Sequence, residues 1–254
     1  MIDRADSGLV SRIVPSPNIE PRKGAVRPSI LILHYTGMTS AEAAIRWLAT
    51  PASKVSCHYV VDEAGRITQM VAESMRAWHA GLSHWAGETD INSLSVGIEI
   101  HNPGHDLGYP EFPEAQLAAV IGLSRDIVLR NAIAASRVLG HSDIAPTRKT
   151  DPGERFPWQR LASAGGGLWP ADLPVPLDAA DGGDPPGTAR ADALLGLLQD
   201  YGYGIDRTGE QRLEQNGKVI AAFQRHFRPA RIDGRADGST RRTIERLLSA
   251  RDVS

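Results

Sequence analysis

The stretch from Gly140 to Gly153 reads Gly-His-Ser-Asp-Ile-Ala-Pro-Thr-Arg-Lys-Thr-Asp-Pro-Gly. It gathers His141, Lys149 and Asp151 in a segment broken by Pro146 and Pro152. A loop this polar, with its backbone fixed at two prolines, is poorly explained by core packing. Histidine nitrogen and carboxylate oxygen both suit zinc, and a zinc that does chemistry usually has three protein ligands and one open position. The loop supplies two candidates, so a third must come from elsewhere in the chain.

The chain offers one at the end of an apolar run, Ser29-Ile30-Leu31-Ile32-Leu33-His34-Tyr35-Thr36-Gly37. Consecutive branched aliphatics read as a strand buried on both faces. His34 then sits at the carboxyl end, where strands of α/β folds deliver functional groups. Taken alone, His34 also reads as a histidine satisfied by hydrogen bonds at a strand edge. A second apolar strand, Asn92 to Asn102, carries Val96, Ile98 and Ile100 alternating with Gly97, Glu99 and His101. Glu99 and His101 share a face. In a sheet covered on both sides, burying an unpaired carboxylate is costly, so Glu99 points to a site. A carboxylate beside a metal-activated water can take its proton and pass it to a leaving group.

Six motifs then follow in order: Leu33-His34-Tyr35-Thr36, Ser56 to Asp62, Ala77-Trp78-His79-Ala80-Gly81, Asn92 to Glu99, Gly140 to Pro146 and Arg148 to Gly153. Together they resemble the zinc-dependent N-acetylmuramoyl-L-alanine amidases of the amidase 2 family, over Ile30 to about Trp158. The resemblance implies zinc as cofactor, His34, His141 and Asp151 as its ligands, Glu99 as acid/base and Lys149 as oxyanion partner. It implies peptidoglycan or muropeptide as substrate, cut between N-acetylmuramic acid and L-alanine. Cys57 stands where some relatives carry tyrosine, which leaves Glu99 as the acid/base candidate. Trp78, His79 and Asn92 fall on the motifs as substrate contacts, the aromatic ring suiting a sugar face. His58 reads as structural or as a partner of a metal ligand. His84, His105 and His226 read as surface histidines, and His101 is left open.

Two other functions are compatible with these residues. Related recognition domains bind muropeptides without cleaving them, but they lack a zinc ligand. A zinc peptidase acting within the stem peptide is the other; the His-Glu-x-x-His spacing is absent.

The chain has 254 residues and a net charge of −2. Its length allows one large core and a smaller second one, and its charge gives no nucleic-acid or membrane signal. The single cysteine, Cys57, excludes an intrachain disulfide and a cysteine-only zinc site, and reads as a small buried hydrophobe. Met1 to Val10 holds no apolar run of signal-peptide length, and no stretch approaches a transmembrane helix. A cytoplasmic location is the expectation, with the periplasm or cell envelope as the alternative.

These site residues need a scaffold, and strands and helices alternate to supply it. Thr39, with Glu42 three residues on, is expected to cap a helix through Leu48. Strands are expected at Cys57 to Asp62 and Ile67 to Val71, and a long helix from Pro113–Glu114 to Asn131. The interleaving favours an α/β fold, a central mixed sheet covered by helices. Ala164 to Thr188 is rich in glycine, proline and aspartate and reads as a linker, semi-rigid at the prolines. After it, apolar positions around Leu194–Leu198, Val219–Phe227 and Thr240–Leu248 predict a small three-helix bundle. Residues from about Ala191 to Ala250 resemble the peptidoglycan-binding domain type 1 repeat. The expected organisation is a catalytic domain over 1–165, a linker over 166–190 and a separable helical domain over 191–254.

Overall fold

The computed structural model describes residues 2, 4–24, 27–177 and 180–252. Met1 and Asp3 of the N-terminal stretch, Asp178 and Ala179 of the linker, and Val253 and Ser254 of the helical region lie outside the described residues.

Eight strands are described: β1 (Arg12–Ile13), β2 (Ile19–Pro21), β3 (Ile30–Tyr35), β4 (Tyr59–Val61), β5 (Ile67–Gln69), β6 (Met75–Ala77), β7 (Ser95–Ile100) and β8 (Val138–Gly140). Six form one sheet in the order β1-β5-β4-β7-β3-β8, and β2 pairs with β6 in a second. The large sheet is mixed: β4 and β5 run antiparallel, the other neighbours parallel. The helices are α1 (Ala41–Leu48), α2 (Ile91–Leu94), α3 (Glu114–Asn131), α4 (His141–Ile144), α5 (Trp158–Ser163), α6 (Ala189–Tyr201), α7 (Arg212–Phe227) and α8 (Gly238–Arg251).

Strand β3 explains the layering. Ile30, Leu31, Ile32 and Leu33 are fully buried, and alternate residues of a strand point to opposite faces. Leu31 and Leu33 pack into a core with Leu117, Val120 and Leu123 of α3 and Leu161 of α5. Ile30 and Ile32 pack with Leu194, Leu195 and Leu198 of α6, Phe223 and Phe227 of α7, and Ile244 and Leu247 of α8. The three C-terminal helices therefore belong to the hydrophobic cluster on the sheet's second face. The helices expected as a separate domain over 191–254 thus share one hydrophobic cluster with the sheet's second face, which suits a bundle too small to bury much apolar surface alone.

The glycine- and proline-rich segment is likewise anchored. Leu173 and Val175 join the same core. Asp181 accepts the Gly238 N–H at 2.7 Å and pairs with Arg190. Composition signalled irregular backbone, which is observed. Smaller differences follow from capping and pairing. Ser40 rather than Thr39 caps α1, its Oγ accepting the Ala43 N–H at 3.1 Å. The strands expected from Cys57 and Ile67 are shorter, spanning Tyr59–Val61 and Ile67–Gln69. The long helix begins at Glu114, right after Pro113, as expected. Among the described residues, no helix is long and apolar enough to cross a membrane.

Candidate active site

Parallel register assembles the site. His34 of β3 pairs with Glu99 of β7, and Leu33 pairs with Gly140, the last residue of β8. The carboxyl ends of three neighbouring strands thus bring His34, Glu99 and His141 to one rim. Asp151 returns to that rim because its carbonyl accepts the Ser142 N–H at 2.9 Å.

His34 Nδ1 and His141 Nδ1 lie 2.9 Å apart, and they are 3.1 and 3.0 Å from Asp151 Oδ2. All three residues are buried. Burial, with His141 beside it, lowers the His34 pKa to about 4. The ring is then neutral at pH 7, the form that binds metal. Burial alone would raise the Asp151 pKa, but the two histidines outweigh it and hold the carboxyl well below its ordinary range.

The surrounding hydrogen bonds fix where the lone pairs point. His34 Nε2 is 3.0 Å from His79 Nδ1, and His79 Nε2 is 3.2 Å from Ser95 Oγ. The Ser95 hydroxyl donates to the Ile91 carbonyl at 2.7 Å. Running the protons along this chain, His34 Nε2–H donates to His79, and His79 Nε2–H donates to Ser95. That leaves Nδ1 of His34 as a bare lone pair facing the triangle. His141 Nε2 donates to the Ala80 carbonyl at 3.1 Å, which frees its Nδ1 in the same way. Two imidazole lone pairs and a carboxylate oxygen converging in a buried spot form a donor set able to hold a metal ion.

His79 and Asn92, expected as substrate contacts, also hold this set in place. Both ring nitrogens of His79 are engaged by protein. Asn92 Oδ1 accepts the N–H groups of His79 and Ala80 at 3.0 and 2.8 Å, which positions both residues. Trp78 is half-buried, lines the cleft and has an Nε1 without a partner.

The cleft holds about 540 Å³, within the range of ligand pockets. Glu99, Lys149, Asp151, Trp47 and Trp78 line it with His34, His79 and His141. Glu99 Oε2 is buried and has no hydrogen-bond partner. Burial, then Asp151, push the Glu99 pKa well up, while Lys149 pulls it down. The lysine charge thus bears on Glu99, and it bears on His34 as well.

His58 is structural: it is fully buried, its Nδ1 accepts the Gly97 N–H at 3.0 Å, and burial, then Arg22, lower its pKa to about 3. Cys57 is fully buried, as expected. His101 bonds Thr36 and Glu63. His105 is exposed. His226 is no surface residue; it is buried between Trp158 and Phe227. Sequence reasoning missed Ser95, Asp143 and Gly97. A Cβ at Gly97 would meet His79 Nδ1 at 2.6 Å, and a glycine inside an apolar strand is the available signal of such close approach.

Residues 24–154 match the family model described as N-acetylmuramoyl-L-alanine amidase. The chain is 40% identical over 235 residues to N-acetylmuramoyl-L-alanine amidase AmiD of Escherichia coli K12, covering 87% of this chain and 83% of that one. It is 34% identical over 169 residues to 1,6-anhydro-N-acetylmuramyl-L-alanine amidase AmpD of the same organism, covering 59% of this chain and 90% of that one. In three dimensions it is similar to E. coli AmiD in complex with the substrate anhydro-N-acetylmuramic acid-L-Ala-D-gamma-Glu-L-Lys, with a TM-score of 0.75 and 37% identity over 89% of this chain and 91% of that one. It is also similar to AmpDh3 of Pseudomonas aeruginosa in complex with anhydromuramic pentapeptide, with a TM-score of 0.74 and 31% identity over 88% of this chain and 92% of that one. With its motifs, its sheet and these matches pointing the same way, the chain belongs to the amidase 2 family of N-acetylmuramoyl-L-alanine amidases.

Proposed function

We propose that the chain hydrolyses the amide between the lactyl group of N-acetylmuramic acid and L-alanine, with zinc held by His34, His141 and Asp151. The observation that carries this reading is the buried donor triangle beside the unpartnered Oε2 of Glu99. Bound there, zinc would polarise the scissile carbonyl and lower the pKa of water toward neutrality.

The chain's own residues supply the rest. Glu99 takes the proton of the attacking water and delivers it to the departing amine. Burial, then Asp151, push its pKa up, the direction that makes a carboxylate a stronger base. Lys149, on the same cleft wall, meets the negative charge that develops on the carbonyl oxygen. His79 and Asn92 hold His34 and the 79–80 backbone in place. Trp78, lining the cleft, offers a ring face to the substrate.

Soluble anhydro-muropeptides fit the substrate class, since a relative 37% identical binds one as substrate. The test is mass spectrometry of anhydro-N-acetylmuramyl-tripeptide after digestion. Intact tripeptide with a free L-alanine amine is expected. A shortened peptide would indicate a stem peptidase, and no product at all a binding module.

A further inference from the structure

Asp143, two residues after the ligand His141, is fully buried and takes no part in lining the cleft. Its Oδ2 accepts the Gly140 N–H at 2.7 Å, which closes the turn that presents His141. Its other bonds cross to the C-terminal helices. Tyr203, just past α6, donates its hydroxyl to Oδ1 at 2.5 Å, and His226 of α7 donates Nδ1–H to Oδ2 at 2.7 Å. Burial and the Asp143 charge push the Tyr203 phenol well up, so it remains a donor.

Both donors are themselves held. The His226 ring stacks on Trp158 and Phe227 with centroids 3.7 and 3.8 Å away. The Tyr203 ring meets Trp85 edge-on at 5.0 Å. The neighbouring backbone is tied in as well: Ala86 N–H donates to the Gly202 carbonyl at 2.7 Å, and His84 N–H to the Ile144 carbonyl at 2.8 Å. On the other side the turn has no slack. A Cβ at Gly140 would lie 2.9 Å from Pro152 Cδ, beside the ligand Asp151.

A buried carboxylate is costly unless its oxygens are satisfied, and a fully satisfied buried network becomes rigid. We infer that Tyr203 and His226 are positioning residues for the metal centre, fixing through Asp143 the turn that carries His141. The C-terminal helical region is then an arm of the site itself, whatever contact it makes with substrate. This inference rests on the proposed metal role of His141.

The test uses the full chain. Tyr203→Phe keeps the ring and removes the donor. Tyr201→Phe is the control: its ring also packs on Trp85, yet its hydroxyl does not reach Asp143. Zinc affinity is read by competition with a chromophoric chelator, and ligand geometry from the visible spectrum of the cobalt-substituted protein. Tyr203→Phe should weaken zinc by about tenfold, the lower end for groups behind a metal ligand, and alter the cobalt spectrum. Tyr201→Phe should do neither. If Tyr203→Phe does not fold, His226→Asn, which keeps a donor near the Nδ1 position, should bind zinc more tightly than His226→Leu. Wild-type affinity and spectrum in Tyr203→Phe, or equal affinities in the two His226 variants, would overturn the inference. Absence of zinc binding by the wild type would instead refute the metal assignment beneath it.

Discussion

Gly97→Ala is a small change with a large expected effect. The new methyl would sit 2.6 Å from His79 Nδ1 and 2.7 Å from two ring carbons. Ordinary contact begins near 3.4 Å, so the ring must retreat by 3.4 − 2.6 = 0.8 Å. The same ring is tied to His34 Nε2 at 3.0 Å and to Ser95 Oγ at 3.2 Å. A retreat of 0.8 Å is enough to carry a 3.0 Å contact past hydrogen-bond range. His34 then loses the partner that fixes its tautomer and ring orientation. Losing such a partner typically costs about 10- to 100-fold in metal affinity, or roughly 1.4–2.8 kcal/mol. Competition titration with a chromophoric chelator measures this directly. The double variant sharpens it. In a His79→Ala background the clash is gone, so adding Gly97→Ala should cost little more, a strongly non-additive pair. Wild-type zinc affinity in Gly97→Ala would refute the reasoning, as would the full penalty persisting without the His79 ring.

Glu99→Gln should retain zinc and fold while kcat falls about 10²- to 10⁴-fold, because the amide cannot carry the proton; near-normal turnover would remove Glu99 from the mechanism. Lys149→Met should likewise keep zinc and lose roughly 10²- to 10³-fold in kcat if it meets the oxyanion. Glu73→Gln tests stability away from the cleft. Glu73 is buried and receives both Arg130 Nη groups at 2.8 Å, the Tyr59 hydroxyl at 2.6 Å and Asn131 Nδ2 at 2.8 Å. Removing its charge should destabilise by about 3 kcal/mol, as for breaking a buried pair. Burial alone would raise the Glu73 pKa, but these bonds outweigh it and leave it lowered. Its contribution is therefore present above the unfolded carboxylate value of about 4.3 and is lost as pH falls through the lower folded value. Thermal melts should show wild type and Glu73→Gln converging below about pH 4; a constant gap down to pH 2 would contradict this.

The cleft was legible because its chemistry sits where the sheet must deliver it. An apolar run ending in His34, and another carrying Glu99, are readable as strands, and parallel strands end at one rim. The proline-broken loop around His141 and Asp151 had no packing explanation, so it pointed to a site. What lay behind the ligands was not legible. The bond from His34 to His79 depends on Gly97 leaving room for a ring contributed by another segment. The C-terminal helices show why a hydrophobic stripe is an incomplete instruction: Leu194, Leu198 and Phe223 declare that they are buried, but not that their cluster extends to Ile30 and Ile32 of the sheet. His226, following Gln224 and Arg225 in α7, carried no signal that Asp143 lay opposite it.

The most direct test of the central claim is release of free stem peptide from anhydro-N-acetylmuramyl-tripeptide before and after metal removal. The expected result is release by the wild type, loss of release on chelation, and recovery with about one equivalent of zinc per chain, the stoichiometry of a single three-ligand site. His141→Ala should not recover. Undiminished release by the metal-free protein, or zinc-restored release by His141→Ala, would contradict it.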